Sequence, residues 1–173
     1  RDGVIYLPNK TKPFSGKNLC KYENGQNKSK GKIKDGKKND LWTEWEENGQ
    51  IKLERTYNFD QIFREKNYQN GIKTNDIVFL YYENGWVAQK NISKDGILVS
   101  EKNYQNKKEI NDTSYSYNEN GQIEKESKFI NEKLISYSEL TYYPNGFKHR
   151  EINFKMGNSI AKRHGKGTMW YEN

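Results

Sequence analysis

Side chains able to do chemistry are few in this sequence. Its two histidines, His149 and His164, each sit among Lys and Arg. Such neighbours oppose the imidazolium and repel a metal cation, so neither reads as a general base or a ligand. No Gly-x-Ser-x-Gly elbow and no phosphate-cradling Gly-rich loop opening a helix is present. The single cysteine, Cys20, excludes an intramolecular disulfide. Its setting, Leu19-Cys20-Lys21-Tyr22, alternates like a strand and predicts a buried structural thiol. The acids are mostly Glu at alternating positions, placed to pair with Lys across a sheet. Asn27-Lys28-Ser29 and Asn91-Ile92-Ser93 match a glycosylation acceptor and read as chance. No catalytic residue, cofactor or metal is expected, and the chain reads as non-enzymatic.

Aromatic side chains are the remaining candidates for function. Tyr22, Trp45, Tyr81, Tyr117 and Tyr142 recur just before the turns of a repeated motif. One reading makes them a packing ladder, each ring covering the next. The other gives a contact surface to rings on the opposite face: Trp42, Tyr82, Trp86, Tyr115, Tyr143 and Trp170. Strand side chains alternate, so Trp42, Tyr82 and Tyr143 are expected to face away from Trp45, Tyr81 and Tyr142. A sheet one layer thick cannot bury both faces, and exposed aromatics are enriched at protein interfaces.

The elements that must position these rings are turns. Tyr22-Glu23-Asn24-Gly25 returns as Trp45-Glu46-Glu47-Asn48-Gly49, Tyr81-Tyr82-Glu83-Asn84-Gly85, Tyr117-Asn118-Glu119-Asn120-Gly121 and Tyr142-Tyr143-Pro144-Asn145-Gly146. The chain closes on Trp170-Tyr171-Glu172-Asn173. Asn-Gly is a strong hairpin signal, because a two-residue turn matching strand twist needs positive φ at both positions. The turn glycines Gly25, Gly49, Gly85, Gly121 and Gly146 are spaced 24, 36, 36 and 25 residues apart. A shift of 36 lays Glu65-Lys66-Asn67-Tyr68-Gln69-Asn70 on Glu101-Lys102-Asn103-Tyr104-Gln105-Asn106, which points to internal duplication. Minor turn signals fall between, at Asp35-Gly36, Asn58 to Gln61, Asn70-Gly71, Asp95-Gly96, Asn131-Glu132 and Met156-Gly157. Turns then recur once per strand.

The aromatic strand, Asn-Gly turn, Lys-rich strand and second Gly turn resemble MORN repeats, in the variant of bacterial antitoxin-like repeat proteins. Gly25 to Gly49 and Gly121 to Gly146 fit that pattern over their length, and His164-Gly165-Lys166-Gly167-Thr168-Met169-Trp170-Tyr171 resembles the general MORN core. The 36-residue intervals depart from it by about one extra strand each. The resemblance implies a protein-binding repeat module, with toxin neutralisation or immunity as one version and a secreted or surface interaction protein as another. It also implies lipid binding as an alternative.

Only 32% of the 173 residues are hydrophobic and mean hydropathy is −1.23, yet 14% are aromatic, which argues for order over disorder. A net charge of +7 divides into +8 over residues 1–38, −5 over 39–147 and +5 over 148–166, with Glu172 closing the sum. Basic ends could bind an anionic lipid surface or an acidic polymer. Since 25 of the 30 basic residues are Lys, blocking of sheet edges is the plainer use for most. The acidic middle interrupts any basic stripe, which ranks nucleic acid lower. No apolar run approaches a membrane span. The opening Asp2-Gly3-Val4-Ile5-Tyr6-Leu7-Pro8-Asn9 resembles mature starts of exported members of the family, implying a secreted or cell-envelope location after loss of a leader. An antitoxin-like role would place the protein in the cytoplasm.

The expected fold is all-β: an elongated antiparallel meander of repeated hairpins, largely one twisted sheet thick. Residues 1–173 form one repeat domain, with a lead-in over 1–18 and five to six hairpin repeats over 19–173. Ile77-Val78-Phe79-Leu80-Tyr81-Tyr82 is the most apolar run and is expected to be buried on both faces. The partner is expected to be a protein, either a toxin or a host or cell-surface protein.

Overall fold

The computed structural model describes residues 3–157, 160–165 and 167–171. Lys166 and the closing Glu172-Asn173 of the repeated motif lie outside them. The described residues contain no helix, as the period-two patterning requires. They form an all-β antiparallel meander in two compact units, one of Arg1–Leu80 with Ile92–Ile97 and one of Tyr81–Asn91 with Leu98–Asn173. The first unit holds β1 (Gly16–Lys21), β2 (Asn27–Lys34), β3 (Lys37–Trp45), β4 (Ile51–Asn58), β5 (Gln61–Gln69) and nearly all of β6 (Ile72–Tyr81). The division then runs through β7 (Val87–Lys94). The second unit continues with β8 (Ile97–Gln105), β9 (Lys108–Tyr117), β10 (Ile123–Ile130), β11 (Lys133–Tyr142), β12 (Lys148–Met156), β13 (Ala161–Arg163) and β14 (Thr168–Met169). Within each unit strands pair in chain order, except that β14 pairs with β12.

Each short interval between turn glycines holds two strands and each 36-residue interval holds three. The extra strands therefore stay in the meander. Three strands separate Gly85 from Gly121, so these turns lie at opposite ends of their strands, whereas Gly121 and Gly146 share an end.

Two turn chemistries recur along the meander, and the Asn-Gly signal of the aromatic motif belongs to a different one from that expected. Gly25, Gly49, Gly85, Gly121 and Gly146 do sit in hairpin turns, at φ 82, 83, 81, 76 and 90. The asparagine before each is not left-handed; these are three-residue loops. Gly25 N–H donates to Tyr22 O at 3.0 Å and Tyr22 N–H to Gln26 O at 2.9 Å, a β-turn closed by a left-handed glycine. Asparagine serves through its side chain: Asn24 Oδ1 accepts from Gln26 N–H at 3.0 Å, and Asn48, Asn84 and Asn145 repeat the bond at 3.0–3.1 Å. The two-residue turns are the minor ones. Asp35-Gly36, Phe59-Asp60, Asn70-Gly71, Asp95-Gly96, Asn106-Lys107 and Asn131-Glu132 all have positive φ at both positions.

Among the described residues the buried apolar ones are Ile33, Trp42, Leu53 and Tyr57, all in the first unit, with Phe14 and Ile62 packed against the cluster of Ile33, Trp42 and Tyr57. The lead-in thus folds onto the sheet: Ile5 N–H donates to Gly36 O, and Gly36 N–H to Phe14 O, at 2.9 and 2.7 Å. Trp42 was expected on the exposed side and is instead 5% exposed. β3 places two extra residues opposite Gly31, with Asp40 at φ 62, and an insertion of two leaves the alternation intact. Trp42 is buried because the side it faces is covered, with Phe14 and Ile62 packed against its cluster. The indole then lies over Gly31, where an added Cβ would stand 2.2 Å from the ring. Its Nε1–H donates to Lys32 O at 2.9 Å, its ring meets Tyr57 edge-on at 6.4 Å, and Lys38 Nζ sits 4.6 Å from its centroid.

Two further expectations are corrected. β6 is not covered on both faces, since Val78 and Leu80 are 39% and 46% exposed; alternate residues of an antiparallel strand can face water even in an apolar run. Cys20 is exposed, because it lies near the end of an outermost strand, with Asn18 Nδ2 donating to its sulfur at 3.7 Å.

Candidate functional site

Tyrosine hydroxyls tie successive hairpins together, and this explains why aromatics come in pairs before the turns. The first residue of a turn reaches forward: Tyr22 Oη–H donates to Trp45 O at 2.7 Å, Tyr82 to Tyr104 O at 2.9 Å and Tyr143 to Trp170 O at 2.7 Å. The residue before it reaches back: Tyr142 donates to Ile123 O at 2.8 Å and Tyr117 to Leu98 O at 2.5 Å. A phenol can span to a neighbouring backbone carbonyl and satisfy it, which phenylalanine cannot do. Composition carried the only signal for this, with 13 Tyr against 7 Phe.

These bonds hold an aromatic and lysine cluster at the Gly85 turn. Tyr82 and Trp86 close the loop, Tyr82 N–H donating to Trp86 O at 2.9 Å. Lys107 Nζ lies 4.9 Å from the Trp86 ring, and Lys90 Nζ 5.1 Å from the ring of Tyr104, whose carbonyl receives the Tyr82 hydroxyl. Tyr82 and Trp86 remain 46% and 38% exposed. A second cluster forms at the opposite strand ends, at the Gly146 turn. There Tyr143 meets His149 at 4.5 Å, Lys148 Nζ lies 5.0 Å from the Trp170 ring, and Phe147 is 73% exposed. The candidate residues therefore divide in four: Tyr82 with Trp86, Tyr143 with Trp170, Trp42 in the core of the first unit, and Tyr115 on Glu101.

Tyr115 belongs to a polar network at mid-strand. Its hydroxyl donates to Glu101 at 2.6 Å, and burial followed by this bond raises its pKa. In the first unit, Tyr68 donates to Glu54 at 2.8 Å and is pushed up to about 12, by burial first and then by Glu54. The internal duplication is visible in side-chain bonds: Asn67–Asn75 at 2.7 Å recurs as Asn103–Asn111 at 2.8 Å. Arg64 grips Asp76 through two bonds, at 2.7 and 2.6 Å, while Ser100 donates to Asp112 at 2.6 Å in the corresponding place. The Arg64 bonds hold the Asp76 carboxyl below the usual carboxylate range. These groups satisfy one another and leave no convergent acid–base pair open to a substrate.

His149 meets the Tyr143 ring at a tilt of 47°, and exposed His164 donates its backbone N–H to Asn153 O at 2.8 Å. Among the described residues no group of three or more His, Cys, Asp or Glu could hold a metal ion.

Two segments, 41–59 and 113–131, match the family model of the MORN repeat variant. Each contains the end of an aromatic strand, a three-residue Asn-Gly loop and the following strand, and their starts lie two 36-residue intervals apart. No curated protein matches the chain. Among solved structures, a protein of unknown function from Bacteroides fragilis NCTC 9343 is similar at 10% identity, over 90% of this chain and 93% of that one, with a TM-score of 0.23. A likeness at that score carries no argument.

Proposed function

We propose that this MORN-type repeat chain is a non-enzymatic protein-binding module whose contact residues are Tyr82, Trp86 and their lysine-capped surroundings. One observation carries the reading. Tyr82 and Trp86 stay exposed although the loop hydrogen bonds, the Tyr82 hydroxyl and Lys107 fix them in place. Immobilised rings lose little conformational entropy on binding, and Trp and Tyr dominate interface energetics. The Gly146 cluster, with Phe147 and Trp170, offers a second contact of the same kind. Repeat matches at 41–59 and 113–131 support a binding role, since such repeats are generally protein- or membrane-binding modules. Neutralising a toxin, conferring immunity or presenting a secreted surface contact are the versions we favour for the partner's identity.

The test is capture of the native partner from source cells with the wild-type chain, followed by titration of that partner against Trp86→Ser and Tyr82→Ser. Both variants should weaken binding about tenfold or more while the first unit melts unchanged. Retained affinity in both variants would defeat the reading. Binding that transfers to anionic vesicles and vanishes at high salt would favour the lipid alternative.

A further inference from the structure

We propose that the outer edge of β1 is a docking strand for an extended, acidic segment of a protein partner. This site lies in the first unit and does not depend on the aromatic clusters. Among the described residues β1 pairs with β2 alone, so one row of its backbone N–H and C=O groups is open to an added strand. The side chains along it give that strand a chemistry. Lys17, Leu19 and Lys21 alternate on one face and all are exposed, Leu19 to 53%.

The face behind them is also lysine. Lys17 stands directly across from Lys32 and Leu19 across from Lys30, and like charges facing one another across a ladder are destabilising. Little nearby offsets this: Lys32 pairs with Asp40 at 3.0 Å, while Lys17, Lys21 and Lys30 make no ion pair among the described residues. The Asp35 carboxylate is engaged by Ser15, whose hydroxyl donates to Oδ1 at 3.4 Å and accepts the Asp35 backbone N–H at 2.8 Å. The fold thus tolerates a cost that an acidic neighbour would reverse.

Charge also selects the occupant. A second copy adding its own β1 in antiparallel register about Leu19 would bring Lys17 against Lys21 twice, so self-pairing is opposed. A partner strand with the order acidic–x–apolar–x–acidic would place one carboxylate against Lys17, an aliphatic side chain against Leu19 and another carboxylate against Lys21. Its backbone would complete the open row of hydrogen bonds.

The experiment titrates fluorescein-labelled peptides into the full chain and reads anisotropy. The probe peptide carries Glu-Thr-Val-Thr-Glu, with one scrambled control of equal charge and one N-methylated at alternate amides. Saturable binding of the probe is expected, weakened about tenfold by K17E/K21E and about tenfold or more by scrambling or N-methylation, which remove register or backbone donors. Because the peptide variants leave the protein untouched, a folding defect in K17E/K21E cannot obscure the result. Equal binding of scrambled or N-methylated peptide would reduce the edge to unspecific charge attraction and overturn the proposal. So would absence of probe binding, or binding of phosphatidylserine vesicles without the probe.

Discussion

Gly31→Ala should destabilise the first unit although alanine is ordinarily the better strand residue. An ideal Cβ at position 31 would stand 2.2–2.4 Å from three atoms of the Trp42 indole, inside any real contact distance. The ring cannot tilt away freely, being tied to Lys32 O, abutted by Tyr57 and capped by Lys38. Forcing a methyl into such a place costs about 1–3 kcal/mol. Relief of glycine's backbone entropy returns about 0.5–1 kcal/mol. If the ring is expelled outright, the loss approaches about 3–5 kcal/mol, the cost of deleting a buried tryptophan. A net cost of about 2 kcal/mol should lower the transition of this unit by about 8–16 °C. Melting is followed by tryptophan fluorescence and far-UV circular dichroism in wild type, Gly31→Ala, Trp42→Ala and the double variant. In the Trp42→Ala background the Gly31→Ala cost should fall to near zero, a coupling of about 2 kcal/mol. An unchanged melting point for Gly31→Ala, or the same cost in both backgrounds, would refute the close approach of indole and backbone.

Further outcomes follow from turns, phenols and titrating groups. Lys107→Gly and Glu132→Gly, at φ 66 and 62, should each stabilise by about 1 kcal/mol, because two-residue turns favour glycine there; denaturant midpoints measure it. Tyr142→Phe, which removes the 2.8 Å bond to Ile123 O, should cost about 1 kcal/mol with the ring's packing retained, and amide exchange should rise at that hairpin. Asp76 has a lowered pKa in the fold, so its stabilisation is present above the unfolded value and is lost as pH falls through the folded one. Asp76→Asn should therefore flatten the acid limb of a stability–pH curve. Tyr68 is raised from 10.0 to about 12, so its contribution is complete below pH 10 and fades as pH climbs through 12. Tyr68→Phe should remove that alkaline loss.

The repeat was legible because glycine at a left-handed position leaves a fixed mark: all five glycines of the aromatic motif occupy the hairpin turns expected of them. Strand number between them was legible from the 36-residue intervals, since an added strand and turn must lengthen the chain by a definite amount. Alternation tells which side a ring faces but not whether that side is covered, and Phe14 of the lead-in packs on the cluster that holds Trp42. Nothing in Asp40-Leu41-Trp42 announces that β3 carries two extra residues, and only Gly31, on the neighbouring strand, hints at a ring lying on bare backbone. At Val78 and Leu80, hydrophobicity overstated burial because the meander leaves one face of β6 open there. The candidate contact residues were found as types but not as a set. The odd number of strands between Gly85 and Gly121 sends Tyr82 with Trp86 and Tyr143 with Trp170 to opposite ends, a division that residue type does not carry.

The most direct test of the binding account is site-specific photocrosslinking in source cells, with benzoylphenylalanine at position 86, at position 147 and, as a control, at exposed Leu41. Position 41 is 50% exposed and apolar like the others, but lies outside both lysine-capped clusters. Positions 86 and 147 should yield a discrete protein adduct, and position 41 should not. No adduct from 86 and 147, or equal adducts from all three, would contradict the assignment of these aromatics to a binding surface.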